Sequence, residues 1–247
     1  MSSIPSASND LVSGRPPIIA IDGPAGAGKS TIARHLARHF GLLNIESGAM
    51  YRAFALKALL SGVSFEDIEA LIVLSSSTTI RLEPSAHGNR VYLDGSEVTG
   101  RLREPDVTDG ASRVSIHPPV RSWMVRLQQE LGANGGVVME GRDIGTIVFP
   151  NADVKIFLDA APEVRGLRRY DQIGRSSPSD TPSQSAQSEA VVCDLRARDQ
   201  RDRNRADSPL RPATDAILVD STHMTLEEVV ARTEAIVMEK LSQRPLN

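Results

Sequence analysis

Residues 23–31 read GPAGAGKST, a segment that combines glycines with a lysine and two hydroxyls. Gly23, Gly28, Lys29 and Ser30 satisfy the pattern G-x-x-x-x-G-K-[ST]. Positions without side chains let backbone N–H groups surround a phosphate chain at the positive end of a helix. Lys29 would reach the β- and γ-phosphates, and the Ser30 hydroxyl would ligate Mg²⁺. The alternative is a glycine-rich turn that binds nothing, but the full motif in its context favours a site for a nucleoside triphosphate.

A run of alternating arginines and aspartates, DLRARDQRDRNRADSPLR (194–211), is the second candidate for chemistry. On a helix, the side chains at i, i+3, i+4 and i+7 share one face, and here they are those of Arg198, Arg201, Asp202 and Arg205. Such a run is often only a solvated helix with i,i+4 ion pairs. Transfer between two phosphorylated substrates, however, gathers negative charges that planar guanidinium groups can neutralise. Beside a nucleotide loop we therefore interpret this face as a phosphate clamp.

Two shorter segments could complete the site. The segment ESGAMYR (46–52) places Ser47 and Arg52 at the start of a predicted helix, and MEGRDIGTIVFP (139–150) turns at a glycine just before Arg142 and Asp143. Each pair alone could be a helix cap or a surface ion pair. Because both segments follow predicted strands, we expect them to meet in the same cleft as the glycine loop.

Five short apolar runs predict the strands that position these motifs. They span 18–21, 42–46, 137–140, 154–158 and 216–220. Helical patterns lie between or after them, at 30–40, 48–60, 119–131, 162–172 and 225–241, the last opened by a Thr225/Glu228 capping box. Alternating strands and helices predict a parallel, doubly wound α/β sheet that binds ligands at the carboxyl ends of its strands. Alternation over 78–99, with a turn at Asp94-Gly95, predicts a small antiparallel insertion.

Composition excludes several classes of protein. The chain has 247 residues, 40% of them hydrophobic, which suffices for a sizeable core. It has no apolar run of the roughly 18 residues that a membrane span needs, and the polar segment MSSIPSASNDLVSGRPP lacks the features of a signal peptide. The single cysteine, Cys193, fits a reducing cytoplasm. A net charge of −3 and only 4% aromatic residues argue against a nucleic-acid partner.

The motifs GPAGAGKST, SGAMYR, EGRDIGTIVFP, KIFLDA and RDQRDRNR occur in that order across residues 16–242, and the chain closely resembles the bacterial cytidylate kinase family, type 1. The resemblance implies a P-loop nucleoside monophosphate kinase with a three-layer α/β/α fold and a five-stranded parallel sheet. It implies one domain at 16–247. The polar residues 1–15 depart from the family pattern, and we predict that they form a flexible tail. Within the domain, the resemblance implies a monophosphate-binding insertion, which we place at 62–117, and a lid, which we place at 162–205. Because 175–189 are rich in Ser and Pro, we predict a mobile loop over 173–192.

The resemblance also implies roles for single residues, with ATP as donor, CMP and dCMP as acceptors and Mg²⁺ as cofactor. The ATP-binding residues would be Gly23, Pro24, Ala25, Gly26, Ala27, Gly28, Lys29, Ser30 and Thr31. In the CMP site, the base would be read by Ser112, Arg121 and Asp143, the ribose held by Arg198 and Asp202, and the acceptor phosphate surrounded by Ser47, Arg52, Arg142 and Arg205. The charges that stabilise the transferring phosphoryl group would be those of Lys29, Arg142, Arg198, Arg201 and Arg205. We expect a monomer, because the sequence carries no signal for a dimer.

The residues make chemical sense of these roles. Cytosine carries an N4 amine where uracil carries an acceptor, so a carboxylate at Asp143 would accept from cytosine and repel uracil. The phosphate oxygens of CMP are ionised near neutral pH, so no general base is required and in-line attack on the γ-phosphorus needs only alignment and charge neutralisation.

Other P-loop proteins are the alternatives. A GTPase would need an NKxD motif after a strand, and NRAD (204–207) lies inside the arginine run instead. A transporter-type ATPase would need a signature such as LSGGQ, which is absent. Adenylate kinase and shikimate kinase are the nearest rivals among small-acceptor kinases.

Overall fold

The computed structural model describes residues 15–85, 88–174, 184–205 and 207–244. Its main sheet is parallel, with the strand order β2-β6-β1-β7-β8. These strands are β1 (Ile18–Asp22), β2 (Leu43–Glu46), β6 (Val137–Gly141), β7 (Val154–Asp159) and β8 (Ile217–Asp220). A smaller antiparallel sheet has the order β3-β4-β5, formed by β3 (Ile80–Ser85), β4 (Gly88–Leu93) and β5 (Ser96–Glu97). The five predicted core strands and the antiparallel insertion are confirmed.

Eight α-helices surround the two sheets in the described part of the chain. They are α1 (Lys29–His39), α2 (Ser47–Leu60), α3 (Ile68–Ser76), α4 (Pro105–Val114), α5 (Pro118–Leu131), α6 (Pro162–Gly174), α7 (Gln184–Asn204) and α8 (Leu226–Ser242). A 3₁₀ turn at Thr99–Arg101 and a π-helical turn at Ile144–Val148 complete the regular structure. The Thr225/Glu228 capping box opens α8 as predicted.

The burial of β1 shows how the layers form. All five residues of IIAID are buried, as expected for a central strand covered on both faces. Ile19 and Ile21 join a core that contains residues of α1 and α8, whereas Ile18 and Ala20 point to the opposite face, which α5 and the π-helical turn cover. The result is the three-layer α/β/α architecture, with the carboxyl ends of β1, β2 and β6 side by side.

The antiparallel sheet and helices α3 and α4 pack on α2. Met50, Phe54 and Ala58 of α2 bury themselves against residues of α3, α4 and α5, and Val91 and Leu93 of β4 pack on the neighbouring face of α2. Helices α3 and α4 were not predicted. Because α2 is apolar on several sides, it connects these elements to the strand end where α2 begins.

The predicted loop over 173–192 is wrong at both ends. Residues 173–174 belong to α6, and α7 begins at Gln184. Beyond Pro182 the sequence QSAQSEAVV contains Ala, Gln and Glu, whose high helix propensity outweighs the serines. Val192 also packs tightly on Gly166 of α6, where a Cβ would lie 2.3 Å from its Cγ2. The tail at 1–14 and residues 175–183 lie outside the described residues. No helix in the described ranges is long and apolar enough to cross a membrane.

Candidate active site

A cavity of about 400 Å³ lies at the carboxyl ends of β1, β2 and β6. Its walls come from the glycine loop, the first turns of α1 and α2, the turn after β6, the end of α7, and helices α4 and α5. The structure brings fifteen of the predicted site residues to this cavity. They are Ala25, Gly26, Gly28, Lys29, Ser30, Thr31, Ser47, Arg52, Ser112, Arg121, Arg142, Asp143, Arg198, Asp202 and Arg205.

Four predicted site residues do not line the cavity: Gly23, Pro24, Ala27 and Arg201. Gly23 lies against β7, where a Cβ would stand 1.9 Å from the Leu158 carbonyl oxygen, so its role is to let the loop pass close to the sheet. Ala27 is buried in the core beneath the loop. Arg201 is 47% exposed, and its Nη1 lies 4.0 Å from Asp109 Oδ1 of α4.

Lys29 is buried at the start of α1, and its Nζ donates to the Pro24 carbonyl at 2.7 Å. Burial, with help from the nearby Arg142, lowers the pKa of Lys29, although Glu140 and Asp22 act in the opposite direction. The Lys29 ammonium has no salt-bridge partner among the described residues, and a bound phosphate would supply the counter-charge. Lys29 is thus positioned as an anion ligand rather than as a member of a complete ion pair.

Three arginines surround one aspartate at the other side of the cavity. Asp202 accepts from Arg142 Nε at 2.8 Å, and its other oxygen lies 3.5 Å from Arg205 Nη2. Burial acts to raise the pKa of Asp202, but Arg142 and Arg205 outweigh it and hold the pKa below its usual range. Burial and the charge of Arg142 lower the pKa of Arg198 to about 10, and its buried Nε has no hydrogen-bond partner among the described residues. The cluster therefore retains unmet capacity for an anion.

The third group in the cavity is an ion pair between Arg121 of α5 and Asp143. Both side chains are buried, and Arg121 Nη1 also donates to the Ser115 carbonyl at 3.1 Å. Beside them, the Ser112 hydroxyl is buried without a hydrogen-bond partner in the described chain. Burial raises the pKa of the neighbouring Tyr51 to about 12. A ligand edge that carries both hydrogen-bond donors and acceptors would pair with the polar groups of this pocket.

The turn after β6 sets the direction of Asp143. Gly141 lies where a Cβ would stand 2.7 Å from Ser47 Oγ, so only glycine allows this turn to approach α2. The N–H groups of Ile144 and Gly145 then donate to the two oxygens of Asp22, at 2.8 and 2.7 Å. Burial raises the pKa of Asp22 to about 6, against the effect of these hydrogen bonds. Asp22 therefore holds the turn that presents Asp143.

Ser47 and Arg52 reach the cavity from α2. Ser47 Oγ donates to the Glu140 carbonyl at 2.7 Å, which ties α2 to β6. Arg52 forms an ion pair with Glu46. The buried Arg52 Nε has no hydrogen-bond partner among the described residues. Both side chains therefore lie in the first turns of α2, in the same cavity as the arginine cluster.

Comparison with known proteins decides the family. The sequence profile described as "Cytidylate kinase" matches residues 19–239. The chain belongs to the cytidylate kinase family. It is 46% identical to a cytidylate kinase of Solibacter usitatus over 91% of this chain and 94% of that protein. It is 47% identical to one of Geobacillus sp. (strain WCH70), over 90% and 97% of the two chains. The cytidylate kinase of Pasteurella multocida is 41% identical, over 91% and 96%.

Membership of the cytidylate kinase family makes this chain a nucleoside monophosphate kinase, a phosphotransferase, as predicted. The GTPase and transporter-type ATPase alternatives are therefore wrong. Adenylate and shikimate kinase, the rivals among small-acceptor kinases, belong to other families.

The sequence analysis missed three carboxylates that lie in or beside the cavity. Asp22, Glu46 and Glu140 are the acidic residues at or near the carboxyl ends of β1, β2 and β6. Burial and the neighbouring Glu46 raise the pKa of Glu140, and Lys29 and Ser30 oppose the change. The sequence did carry a signal for them: each of three predicted strands ends with, or is followed by, an acidic residue. Parallel strands bring their carboxyl ends together, so these residues could have been expected to meet.

Proposed function

We propose that this enzyme transfers the γ-phosphate of ATP to CMP and dCMP, giving ADP and CDP or dCDP. The observation that carries the proposal is the Arg121–Asp143 pair with the unpartnered Ser112 hydroxyl, in the same cavity as the glycine loop and the arginine cluster. These groups can read a cytosine edge. Asp143 would accept from the N4 amine, and Ser112 and Arg121 would donate to N3 and O2.

The phosphates would lie between the glycine loop and the arginines. Gly23 to Thr31 would enclose ATP, and Ser47, Arg52, Arg142 and Arg205 would surround the acceptor phosphate. Lys29, Arg142, Arg198 and Arg205 would neutralise the transferring group, which is the main requirement of in-line phosphoryl transfer. Arg201 would join them only if the lid moves, since its side chain lies outside the cavity lining and faces Asp109. Arg198 and Asp202 would hold the ribose.

The residues present fit a Mg²⁺ ion beside the phosphates. Glu140 Oε1 is buried without a hydrogen-bond partner in the described chain, and the Ser30 hydroxyl lies close enough to lower the pKa of that carboxyl. Hydroxyl and carboxylate oxygens are the donors that Mg²⁺ prefers. Ser30 and Glu140 would hold the ion, which neutralises charge on the phosphate oxygens when bound.

The proposal includes movement of two segments relative to the main sheet. Residues 62–117 would form the monophosphate-binding insertion and 162–205 the lid, with a flexible tail at 1–15. In this view the pocket forms between elements that move relative to the sheet, because its lining comes from α4 and α7 as well as from the strand ends. We propose a cytoplasmic monomer that binds no nucleic acid.

An ATP-coupled assay with AMP, CMP, dCMP, UMP, GMP, dTMP and shikimate tests the proposed acceptor. We expect the highest kcat/KM with CMP or dCMP. ADP release without acceptor measures bare ATPase activity and is expected to be a small background. A preference for AMP, or full activity without any acceptor, would overturn the assignment of the base pocket.

A further inference from the structure

Two histidines and a glutamate form a cluster on the outer surface of the molecule, between α1 and α8. His35 and His39 are one helical turn apart on α1, so both rings project from the same face. Their ring centroids are 6.1 Å apart and nearly parallel, with an interplanar angle of 22°. Glu234 of α8 faces them, and the phosphoryl-transfer site uses none of the three residues.

One carboxylate oxygen meets both rings. Glu234 Oε1 lies 2.6 Å from His35 Nε2 and 3.2 Å from His39 Nδ1. One potential ligand atom from each residue lies within 4.8 Å of those of the other two. In a tetrahedral zinc site with bonds of about 2.1 Å, ligand atoms are about 3.4 Å apart. To reach that separation, Glu234 Oε1 needs to move away from His35 Nε2 by about 0.8 Å and from His39 Nδ1 by about 0.2 Å.

The core holds the two helices in this arrangement. Leu36 and Ala37, between and beside the histidines on α1, are buried in the same cluster as Ile236 and Val237 of α8. The cluster is thus supported by packing that does not depend on the polar contacts. Its side chains are also accessible, being 35%, 43% and 24% exposed for His35, His39 and Glu234, so an ion could enter from solvent.

We propose that His35, His39 and Glu234 form a binding site for a divalent transition-metal ion such as Zn²⁺, with one coordination position left to water. Two imidazoles and one carboxylate favour Zn²⁺, Co²⁺ or Ni²⁺ over Mg²⁺, which prefers oxygen ligands only. The site is separate from the phosphate loop, because His35 follows Ser30 by five residues, or roughly 7 Å along α1. An ion there would join α1 to α8.

Titration of the nucleotide-free protein with ZnCl₂, in buffer that contains Mg²⁺ to occupy the phosphate loop, tests the proposal. We expect one Zn²⁺ per chain, bound at least about tenfold more weakly by Glu234→Gln and by His35→Asn. Co²⁺ should give the visible absorption of a nitrogen- and oxygen-ligated ion, and neither variant should give it at the same concentration.

Two matched controls exclude other sources of metal binding. His223→Asn removes an exposed histidine that also lies near a carboxylate, that of Asp220, and Cys193→Ser removes the free thiol. Both should bind Zn²⁺ as the unaltered protein does. If either control, rather than Glu234→Gln and His35→Asn, weakens binding, or if the unaltered protein binds no Zn²⁺, the proposal is wrong.

Thermal unfolding distinguishes a metal site from a simple hydrogen-bonded bridge between the helices, because only a metal site makes the Tm depend on Zn²⁺. At about a hundredfold excess over the dissociation constant, Zn²⁺ should raise the Tm by roughly 5 °C or more. The rise should be lost in both site variants, whatever their Tm without metal. Equal rises in the variants and the unaltered protein would overturn the site. Phosphoryl transfer by the variants confirms that they are folded, since none of the three side chains lines the active-site cavity.

Discussion

Asp143→Asn is the sharpest test of how the base is read. The carboxylate pairs with Arg121 where both side chains are buried, with exposures of 9% and 4%. The amide can still accept from the cytosine N4 amine but loses the charge, and a hydrogen bond to a charged group contributes about 1.5–3 kcal/mol. We therefore expect kcat/KM for CMP to fall about tenfold to a hundredfold.

UMP should respond differently to the same change. The asparagine amide can donate to the uracil O4, which the carboxylate repels, so kcat/KM for UMP should stay level or rise. The CMP to UMP ratio should then narrow by about tenfold or more. Steady-state kinetics with both nucleotides, from coupled ADP release, measures this ratio directly. Equal losses for CMP and UMP would refute the role given to Asp143.

Stability must be followed in the same experiment. Removal of one partner of a buried ion pair costs about 3–5 kcal/mol, because the Arg121 guanidinium is left without its counter-charge. Kinetics are therefore measured well below the melting temperature, with the folded state checked by thermal unfolding. Glu66→Gln is the matched control: it makes the same carboxylate-to-amide change opposite Arg113 on the exposed surface of the insertion. Its CMP to UMP ratio should be that of the unaltered enzyme.

Three other predictions follow from the site. Lys29→Ala removes the ammonium beside the glycine loop and should cost on the order of 3 kcal/mol in transition-state stabilisation, so a folded variant with near-normal kcat/KM would contradict the site. Arg142→Ala should lower kcat/KM for CMP and UMP alike, because we assign this side chain to the phosphate and not to the base, and a changed CMP to UMP ratio would argue against that assignment. Asp22 binds its proton more tightly folded than unfolded, since its pKa rises from 3.8 to about 6, and its contribution to the unfolding free energy should fall by about 3 kcal/mol as pH rises from about 4 to about 7. Denaturant titrations measure how much lower the unfolding free energy of Asp22→Asn is than that of the unaltered protein. This difference should be larger at about pH 4 than at about pH 7. A difference independent of pH would show that Asp22 titrates normally.

Most of the fold was predictable from local pattern. The apolar runs at 18–21, 137–140 and 154–158 were buried on both faces and thus stood out as strands. Helices α3 and α4 were missed because their apolar residues pack against α2 and α5, which a reading of each segment alone does not reveal. The start of α7 was missed because serines near a proline resemble a loop, whereas Val192 finds a close partner in Gly166 of α6.

The sequence by itself determined the chemistry of the site, since motif spacing along one chain identifies a glycine loop, an arginine cluster and the family they belong to. Only the tertiary structure decided which of those side chains meet. Arg201 and Arg205 are equivalent on an ideal helical face, yet α7 ends at Asn204, and Arg205 turns into the cavity while Arg201 faces Asp109. The structure also added Asp22 and Glu140, whose roles depend on contacts with residues more than a hundred positions away along the chain. Such contacts follow from strand order, which local periodicity does not encode.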